Sequence, residues 1–437
     1  MRFIHTADWH LGNQLHDIDR REETQVFFRW LKNQIIEKNA DTLIVAGDIF
    51  DTANPPVEAR QVYYTFLASL ADTCCKNVVI VGGNHDSAVL LDAAKDLLEV
   101  LHIRVIGSIN GLSPEDMCLE LHDAEHHLCG ICMAVPFVRE LELRNLLADE
   151  DDESKGKKRN EKIADGDLYS LAYKKLYDAV YEAAEKVRDG RAVPIIATGH
   201  LYGADLEGRL AQAASNSKSD DGVKVLDVLG TLGNVPPAVF PPADYIALGH
   251  IHYATMVAKN PAIRYSGSPF VMGFDEANIP HYVLCAELEK NASTGKKSLT
   301  VEKLETPQPF VYRRISGTLE EIKAQLQGLP KEATKPVFLE LYYKREVGTN
   351  AQTFLEDTIH ALPEHMSVVS WKIADTEKFF AGSGTAQYDA REIKNLDDRE
   401  IFTQLILTKS GLDAESDEGK SAVEKFLPLF MQLAGEM

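Results

Sequence analysis

Short apolar runs that each end in a turn with a metal-ligand side chain constrain this chain more than any other feature. Runs of four to eight apolar residues bounded by glycine are typical of buried β-strands. Segments with helical periodicity separate them, such as EARQVYYTFLASLAD, in which Val62, Phe66 and Leu70 recur at every fourth position. Strands that alternate with helices predict an α/β core with a largely parallel inner sheet. The runs are RFIHTADWH (2–10), TLIVAGD (42–48), NVVIVGGNHD (77–86), PIIATGH (194–200) and DYIALGH (244–250).

Three further segments are predicted to add a second sheet to this core, and the rest of the chain to form a small domain and a tail. IRVIGSI, CLELHDAEHHLCGICMAVPF and IRYSGSP predict a second, β-rich sheet, so the first domain is a two-sheet sandwich flanked by helices over 1–285. A turn-rich stretch at 289–298 predicts a hairpin or a linker. A β-α-β-α-β order then predicts a small separate α/β domain within 300–380. Two amphipathic patterns in 390–437 predict a helical tail that either packs on its own chain or binds a partner.

One charged segment interrupts the first domain. Residues 145–167 carry many charges of both signs and almost no apolar side chains, which is typical of a solvated loop. The alternative is a basic patch that tracks DNA, formed by Lys155, Lys157, Lys158 and Arg159.

The charge balance of the chain is strongly acidic, with a net charge of −21 and a pI of about 5.1. This balance argues against non-specific affinity for nucleic acid, because contact with phosphates depends on Lys and Arg. It does not exclude a nucleic-acid enzyme, since bound metal ions add local positive charge and a partner chain can provide the rest.

No apolar run approaches the roughly 18 residues of a membrane span. The N-terminus also lacks the pattern of a signal peptide, so we expect a soluble cytoplasmic protein.

The cysteines agree with a reducing compartment. The chain has 6 of them, and their spacing is not that of a disulfide framework. Cys129 and Cys132 are separated by two residues, but neither a second cysteine pair nor a histidine pair completes a zinc site. Buried strand thiols are the simpler interpretation.

The polar side chains at the ends of the predicted strands are of kinds that bind metal ions. In open α/β sheets, sites form beyond the carboxyl ends of the strands, so we expect these side chains to meet. Glycines just before Asp48, Asn84, His200 and His250 permit tight turns. A lone histidine is usually structural, but a set of donors that repeats the same glycine lead-in indicates a metal centre. The expected ligands are Asp8, His10, Asp48, Asn84, His200, His250 and His252.

Nitrogen and oxygen donors around a central carboxylate fit a pair of ions that share it. Two ions about 3.5–4 Å apart activate a water molecule and neutralise the charge that develops on a phosphate. Imidazole and carboxylate ligands without thiolate suit manganese or iron and tolerate zinc. We therefore expect two divalent metal ions, with Mn²⁺ as the first candidate.

The motifs that carry these residues resemble those of calcineurin-like metallophosphoesterases. They are D-W-H at 8–10, G-D-I-F-D at 47–51, G-N-H-D at 83–86, G-H at 199–200 and G-H-I-H at 249–252. Within that superfamily, TADWHLG, GDIFDTANPP and YSGSP are similar to the SbcD family, the nuclease subunits of bacterial SbcCD exonucleases. Archaeal and eukaryotic double-strand-break repair nucleases are relatives of that family. The resemblance covers 1–285 well, and the small α/β unit agrees in position with the family's capping domain.

The resemblance implies a role for each site residue. His85 would face the substrate and protonate the leaving oxygen or stabilise the transition state, because an imidazole titrates near neutral pH. Asp86 would orient His85 or, alternatively, stabilise the turn. Asp51 stands where eukaryotic relatives often carry a further histidine, which leaves a second substrate-facing residue unidentified. Trp9 is expected to pack beneath the site rather than stack on a base. One ion would be bound by Asp8, His10, Asp48 and His252, and the other by Asp48, Asn84, His200 and His250.

The resemblance also implies an activity and partners. The activity is that of a double-strand exonuclease and a hairpin or single-strand endonuclease in DNA recombination, repair and replication. The partner would be an SMC-like coiled-coil ATPase of the SbcC type, in a nucleoid-associated heterotetramer with two copies of this chain. The chain has no P-loop of its own, because the sequence before Gly419-Lys420-Ser421 has Ala414 where that motif needs glycine. The tail is the candidate docking segment for the ATPase.

Helices over 56–71 and 88–101 are candidates for the contact between two copies. Their apolar residues are equally compatible with positions in the core of one copy. These residues are Tyr63, Phe66, Leu67, Leu90, Leu91, Leu97 and Leu98.

Two other functions are compatible with part of this pattern. A small-molecule phosphoesterase of the same fold uses the same metal chemistry, although the long extension after the first domain favours a large substrate. A non-catalytic scaffold on a degenerate phosphoesterase fold would lose ligands or the substrate-facing histidine, and here the whole set is present.

Overall fold

A computed structural model describes most of the chain. It covers residues 1–16, 18–148, 165–203, 235–290, 297–329, 335–343 and 358–373, with isolated positions between 403 and 427. The basic cluster at 155–159 and nearly all of the predicted helical tail lie outside the described residues. No helix in the described ranges is long and apolar enough to cross a bilayer.

The first of two large sheets has six strands. Four parallel strands form one side of it, and an antiparallel hairpin continues it on the other side. The sheet therefore extends to Glu305, beyond residue 285, where the predicted first domain ends. Its strands are β1 (Arg2–Thr6), β2 (Thr42–Ala46), β3 (Asn77–Val81), β4 (Ile103–Ile106), β11 (Tyr282–Lys290) and β12 (Lys297–Glu305), in the order β12-β11-β1-β2-β3-β4.

The second sheet also has six strands and is mixed. Its strands are β5 (Cys118–His122), β6 (Leu128–Met133), β7 (Ile195–His200), β8 (Tyr245–Gly249), β9 (Thr255–Met256) and β10 (Ile263–Tyr265), in the order β5-β6-β7-β8-β10-β9. The three central pairings, β6-β7, β7-β8 and β8-β10, are parallel, and the two outer pairings are antiparallel.

The predicted assignment of strands to sheets was partly wrong. IRVIGSI was expected in the second sheet, but β4 pairs with β3 in the first. PIIATGH and DYIALGH form β7 and β8 of the second sheet instead of joining the strands that precede them. Both sheets contain parallel strands that are buried on both faces, so their apolar runs look alike in sequence.

Helices cover the outer faces of the two sheets. The aromatic and aliphatic side chains of α1 (Arg21–Glu37) and α2 (Val57–Ser69) pack on the first sheet, and α6 (Asp165–Arg188) packs on the second. A third apolar cluster, with Phe3 and Tyr245 among its members, fills the space between the sheets. The result is the predicted α/β sandwich of two sheets flanked by helices. The remaining helices of this part are α3 (Ala88–Asp92), α4 (Lys95–Glu99) and α5 (Glu140–Ala148).

The predicted small α/β unit contains a three-stranded parallel sheet. Its strands are β13 (Val311–Gly317), β14 (Val337–Tyr343) and β15 (Met366–Ile373), with α7 (Leu319–Gln327) between the first two. Helix α7 begins where the sequence favours it, because the side chains of Thr318 and Glu321 form a capping box. An apolar cluster joins this unit to the rest of the chain: Ile18, Val271, Phe274, Phe310 and Tyr312.

Most of the dimer candidates belong to the core of one copy. Tyr63, Phe66 and Leu67 of α2 are buried, as are Leu91 and Leu98. Leu90 is half-buried against the same core, which leaves Leu97 as the exposed member of the set. The large apolar side chains exposed over 56–71 and 88–101 are Val57, Val89, Leu97, Val100 and Leu101.

Candidate metal centre

Five strand ends converge on one region between the two sheets. Asp8 and His10 follow β1, Asp48 follows β2, and Asn84 follows β3 of the first sheet. The second sheet contributes His200, the last residue of β7, and the pair His250 and His252 after β8. The structure thus brings together all seven side chains that the sequence marks as ligands.

The backbone of these loops is held in an uncommon conformation. Asp8, His10, Asp48 and His250 all have positive φ angles, of 53°, 43°, 50° and 96°. A non-glycine residue in this region costs on the order of 1–3 kcal/mol, and such residues cluster at functional sites. Hydrogen bonds stabilise the arrangement: the backbone nitrogens of Asp8 and His10 each donate to the β2 loop at 3.0 Å, to the carbonyls of Gly47 and Asp48 respectively.

Two glycines allow the loops to approach closely. A methyl group on Gly83 would overlap the carboxylate and the backbone nitrogen of Asp48, and one on Gly249 would overlap the carbonyl of Ala46. Only a residue without Cβ fits at either position. The glycine lead-in seen in the sequence therefore has a steric origin in the contact between strand ends.

Asp8, His10 and His252 form the first ligand group. One ligand atom from each lies within 4.8 Å of the others. Asp8 accepts a hydrogen bond of 2.8 Å from the backbone nitrogen of His250 through Oδ1. Its Oδ2 and both ring nitrogens of His10 are buried and make no hydrogen bond. Buried polar atoms are nearly always paired, so Oδ2 of Asp8 and a ring nitrogen of His10 fit a bound cation.

Asp48, His200 and His250 form the second group, again within 4.8 Å. Nε2 of His200 lies 3.3 Å from Oδ2 of Asp48. Oδ1 of Asn84 lies 2.9 Å from that same Nε2 and 3.0 Å from Nδ1 of His250. The other ring nitrogen of His200 lies 2.9 Å from the carbonyl of Ala46, which fixes the orientation of the ring.

Asp48 connects the two groups. Its Oδ2 is 3.3 Å from Nε2 of His200 and 3.6 Å from Nε2 of His10, so one oxygen faces a histidine from each group. Its Oδ1 accepts a hydrogen bond of 2.9 Å from the backbone nitrogen of His85. This is the position that a carboxylate shared by two ions requires.

The ionisable groups of the centre are strongly coupled. Burial alone would raise the pKa of Asp48, but the neighbouring histidines, His200 first, hold it well below its usual range. Burial opposes protonation of His200 as well, yet Asp48 and Asp8 raise its pKa to about 9. The pKa of His252 also rises to about 9, against burial, through contact with Glu276 and Asp8. Burial and the charge of His200 lower the pKa of His250 to about 3. A cation that binds here must displace the protons that these raised pKa values favour on the rings of His200 and His252.

His85 and Asp86 lie on the same loop but make different contacts. His85 is exposed, and its Nδ1 lies 2.8 Å from the backbone carbonyl of Asp51. The buried carboxylate of Asp86 accepts three backbone hydrogen bonds, from Ile49, Phe50 and Gly83, at 2.8–3.0 Å. Asp86 therefore ties the β2 and β3 loops together, and the partner of the His85 ring is Asp51 instead.

One acidic residue of the centre carries no signal in the sequence. Glu276 lies 3.6 Å from Nδ1 of His252 through Oε1 and accepts a 2.8 Å hydrogen bond from the backbone nitrogen of Met272. No strand-end motif precedes it, so only the folded chain identifies it.

Trp9 has the packing role that the sequence predicts. It packs against Phe28 and Phe66, and its indole nitrogen donates to Thr6 at 2.9 Å.

Comparison with known proteins identifies relatives over most of the chain. The profile of the calcineurin-like phosphoesterase family matches residues 1–254. The chain is 34% identical over 371 residues to the SbcD subunit of the SbcCD nuclease of Escherichia coli strain K12, a match that covers 84% of this chain and 83% of that protein. The SbcD subunits of Rhodobacter capsulatus and Bacillus subtilis are 29% and 28% identical. Their matches cover 83% and 75% of this chain, and 85% and 75% of their own lengths.

Proposed function

The chain belongs to the calcineurin-like phosphoesterase family and, within it, to the SbcD nuclease subunits, and we propose that the centre described above is where it hydrolyses DNA. The protein is a metal-dependent nuclease that works with an SbcC-type subunit. The observation that carries the assignment of the site is the shared Oδ2 of Asp48, which faces a histidine of each ligand group.

In this proposal the centre would hold two divalent ions. Asp8, His10, Asp48 and His252 would hold one, and Asp48, Asn84, His200 and His250 would hold the other. Two such ions would supply an activated water molecule and positive charge against the phosphate. We favour Mn²⁺ because the donors are imidazole, carboxylate and amide groups without thiolate.

His85 acts on the substrate from the exposed side of the centre. The carbonyl of Asp51 engages its Nδ1, so its Nε2 is the nitrogen available to a phosphate oxygen. An imidazole there protonates the leaving oxygen or stabilises the transition state. Asp86 is a positioning residue in this scheme, because its carboxylate fixes the loop that carries His85 through three backbone amides.

A small-molecule phosphoesterase is not favoured. The similarity to the nuclease subunits covers 84% of the chain, well beyond the 254 residues of the phosphoesterase domain. A scaffold without activity is disfavoured because the buried, unpaired Oδ2 of Asp8 and Nε2 of His10 are retained. The proposed catalytic domain is the predicted one at 1–285 extended to Glu305, where its first sheet ends, and the proposed capping domain is the remainder of 300–380.

The proposed partners follow from the same assignment. The ATPase subunit supplies the ATP-driven step and docks on the helical tail at 390–437. We propose that two copies of this chain associate through the exposed apolar side chains on and after α2, α3 and α4 within a nucleoid-associated complex. These side chains are Val57, Val89, Leu97, Val100 and Leu101.

The substrate class can be tested with the purified chain, alone and with its ATPase subunit and ATP. End-labelled linear and hairpin duplex DNA would be incubated with Mn²⁺, Mg²⁺ or chelator, beside a generic phosphomonoester. The proposal predicts Mn²⁺-dependent cutting of DNA that chelator abolishes. Turnover of the phosphomonoester with DNA intact, both with and without the partner, would contradict it.

A further inference from the structure

Asp51 is not one of the candidate ligands, yet it contacts two histidines of the site. They are His10, a candidate ligand of the first ion, and His85, which is proposed to act on the substrate. Oδ1 of Asp51 lies 3.3 Å from Nδ1 of His10. Its backbone carbonyl lies 2.8 Å from Nδ1 of His85. Nδ1 of His85 is thus hydrogen-bonded, and Nδ1 of His10 faces the carboxylate at ion-pair distance without a hydrogen bond, so the Nε2 of each ring is left for metal or substrate.

A chain of polar contacts that ends in a buried ion pair holds the Asp51 carboxylate. Asn13 donates to Oδ1 of Asp51 at 3.0 Å and accepts from Nη1 of Arg20 at 2.8 Å. Nε of Arg20 in turn donates to Glu23 at 2.6 Å. Arg20 is 8% exposed and Glu23 1%, so this ion pair is enclosed. A buried pair with such contacts has little freedom to reorient, and it fixes the Asn13 amide in place.

The backbone around Asp51 is fixed as well. Its nitrogen donates to the carbonyl of Leu11 at 3.2 Å, and the nitrogen of Leu11 donates to Ile49 at 2.9 Å. The loops after β1 and β2 are therefore joined at Leu11, the residue after His10. Backbone hydrogen bonds thus hold the segment of Asp51 against the loop that carries His10.

We propose that Asp51 is a positioning residue: its carboxylate orients the ring of His10, its carbonyl orients the ring of His85, and Asn13 and Arg20 hold the carboxylate in place. This inference rests on the proposed function. Metal-binding histidines usually donate their second ring N–H to a carboxylate or a carbonyl, and loss of that partner weakens metal affinity by about 10- to 100-fold.

Calorimetric titration with Mn²⁺ tests the proposal without reference to activity. Wild type, Asp51→Ala, Asp51→Asn and Asn13→Ala would be compared as full chains. We expect two ions in each, with one ion about 10- to 100-fold weaker in Asp51→Ala. Asp51→Asn keeps an acceptor oxygen and should lie between Asp51→Ala and wild type. Asn13→Ala should weaken the same ion by a smaller factor.

Two controls separate this role from a loss of stability. Asp41→Ala truncates a half-buried carboxylate at the other end of β2, where it accepts from the backbone nitrogen of Arg2, and should leave Mn²⁺ affinity unchanged. Asp51→Ala retains the carbonyl that contacts His85, so DNA cleavage should return toward the wild-type rate as Mn²⁺ is raised. A merely structural defect would not respond to Mn²⁺ in this way.

The outcomes distinguish the inference from the proposed function. Wild-type Mn²⁺ affinity in folded Asp51→Ala would overturn the positioning role, while DNA cleavage by wild type would leave the nuclease assignment intact. Loss of one ion in Asp51→Ala, in place of weaker binding, would make Asp51 a ligand and also overturn it. Failure of wild type to bind two ions would contradict the proposed function itself, and the inference with it.

Discussion

Nδ1 of His5, on β1, lies 3.0 Å from the phenolic oxygen of Tyr245, on β8, so that one buried imidazole joins the two sheets. Its Nε2 lies 3.2 Å from the carbonyl of Leu248. With Nε2 donating to that carbonyl, Nδ1 accepts from the tyrosine and the ring is neutral. Burial lowers the pKa of His5 to about 3, from 6.5.

This contact predicts an acid-sensitive fold. Between about pH 6.5 and pH 3 the unfolded chain binds a proton at His5 that the folded chain does not, so the free energy of unfolding falls as the pH falls. The loss amounts to about 1.4 kcal/mol per pH unit across that range. In urea unfolding with chelator from pH 7.5 to 4.5, His5→Gln should show a shallower decline than wild type. An unchanged slope would contradict the assignment, and His126→Gln, an exposed imidazole, serves as the matched control.

Asp48 should be needed for both ions, because its Oδ2 faces a histidine of each ligand group. Ions that bind only the folded chain stabilise it, by about 2.7 kcal/mol at a concentration of 100 times Kd. Wild type should therefore gain thermal stability with Mn²⁺ and lose the gain with chelator. Asp48→Asn should show little of this gain, whereas Asp41→Asn should show it in full. A wild-type response in Asp48→Asn, measured by scanning calorimetry, would exclude a shared carboxylate.

The small α/β unit contacts α1 at Glu23, to which the hydroxyl of Tyr312 on β13 donates at 3.4–3.5 Å, and we expect this contact to anchor the unit. Tyr312→Phe removes this hydrogen bond but leaves the pair of Glu23 with Arg20, so we expect a loss of about 1 kcal/mol in unfolding free energy. Arg20→Met leaves a buried carboxylate unpaired and should cost about 3–5 kcal/mol. Tyr342→Phe, in the same sheet but outside this contact, is the control. Equal effects of the two tyrosine substitutions in urea unfolding would argue against the anchor.

The exposed face of α4 gives a test of self-association. Leu97 is 71% exposed, so Leu97→Asp should leave the fold intact and convert a dimer to monomers, as measured by light scattering. Leu141→Asp, on α5 and 70% exposed, is a matched change elsewhere and should not alter the mass. Phe66→Ala should instead destabilise the chain by about 3–5 kcal/mol, because it leaves a cavity in the core. Dimers in the Leu97 variant would place the contact elsewhere.

The candidate ligands could be predicted from sequence because each follows an apolar run, four of them directly follow a glycine, and strand ends of a sheet meet. The roles of Glu276 and of the hydrogen-bonded pair Asn13 and Arg20 could not be predicted, because their contacts join segments that carry no shared sequence pattern. The faces of α2 show another limit. Tyr63, Phe66 and Leu67 have the spacing of any buried stripe, so periodicity alone cannot separate a core from an interface.

The sheets illustrate the same limit at a larger scale. β4 and β7 are both short apolar runs in parallel pairs, and nothing in either run shows which sheet it joins. Only the folded chain shows that β4 pairs with β3 and that β7 pairs with β6. The position of the candidate metal centre was still predictable, since both sheets present their carboxyl ends to it.

The most direct test of the account is DNA cleavage by His85→Gln at saturating Mn²⁺, with bound Mn²⁺ counted in the same samples. His85 is exposed and contributes its backbone nitrogen, not its ring, to Asp48, so the variant should keep two ions. Removal of a general acid lowers the rate by about 10²- to 10⁴-fold, and we predict a loss in that range for linear and hairpin duplexes. Cleavage at the wild-type rate with both ions bound would contradict the central claim.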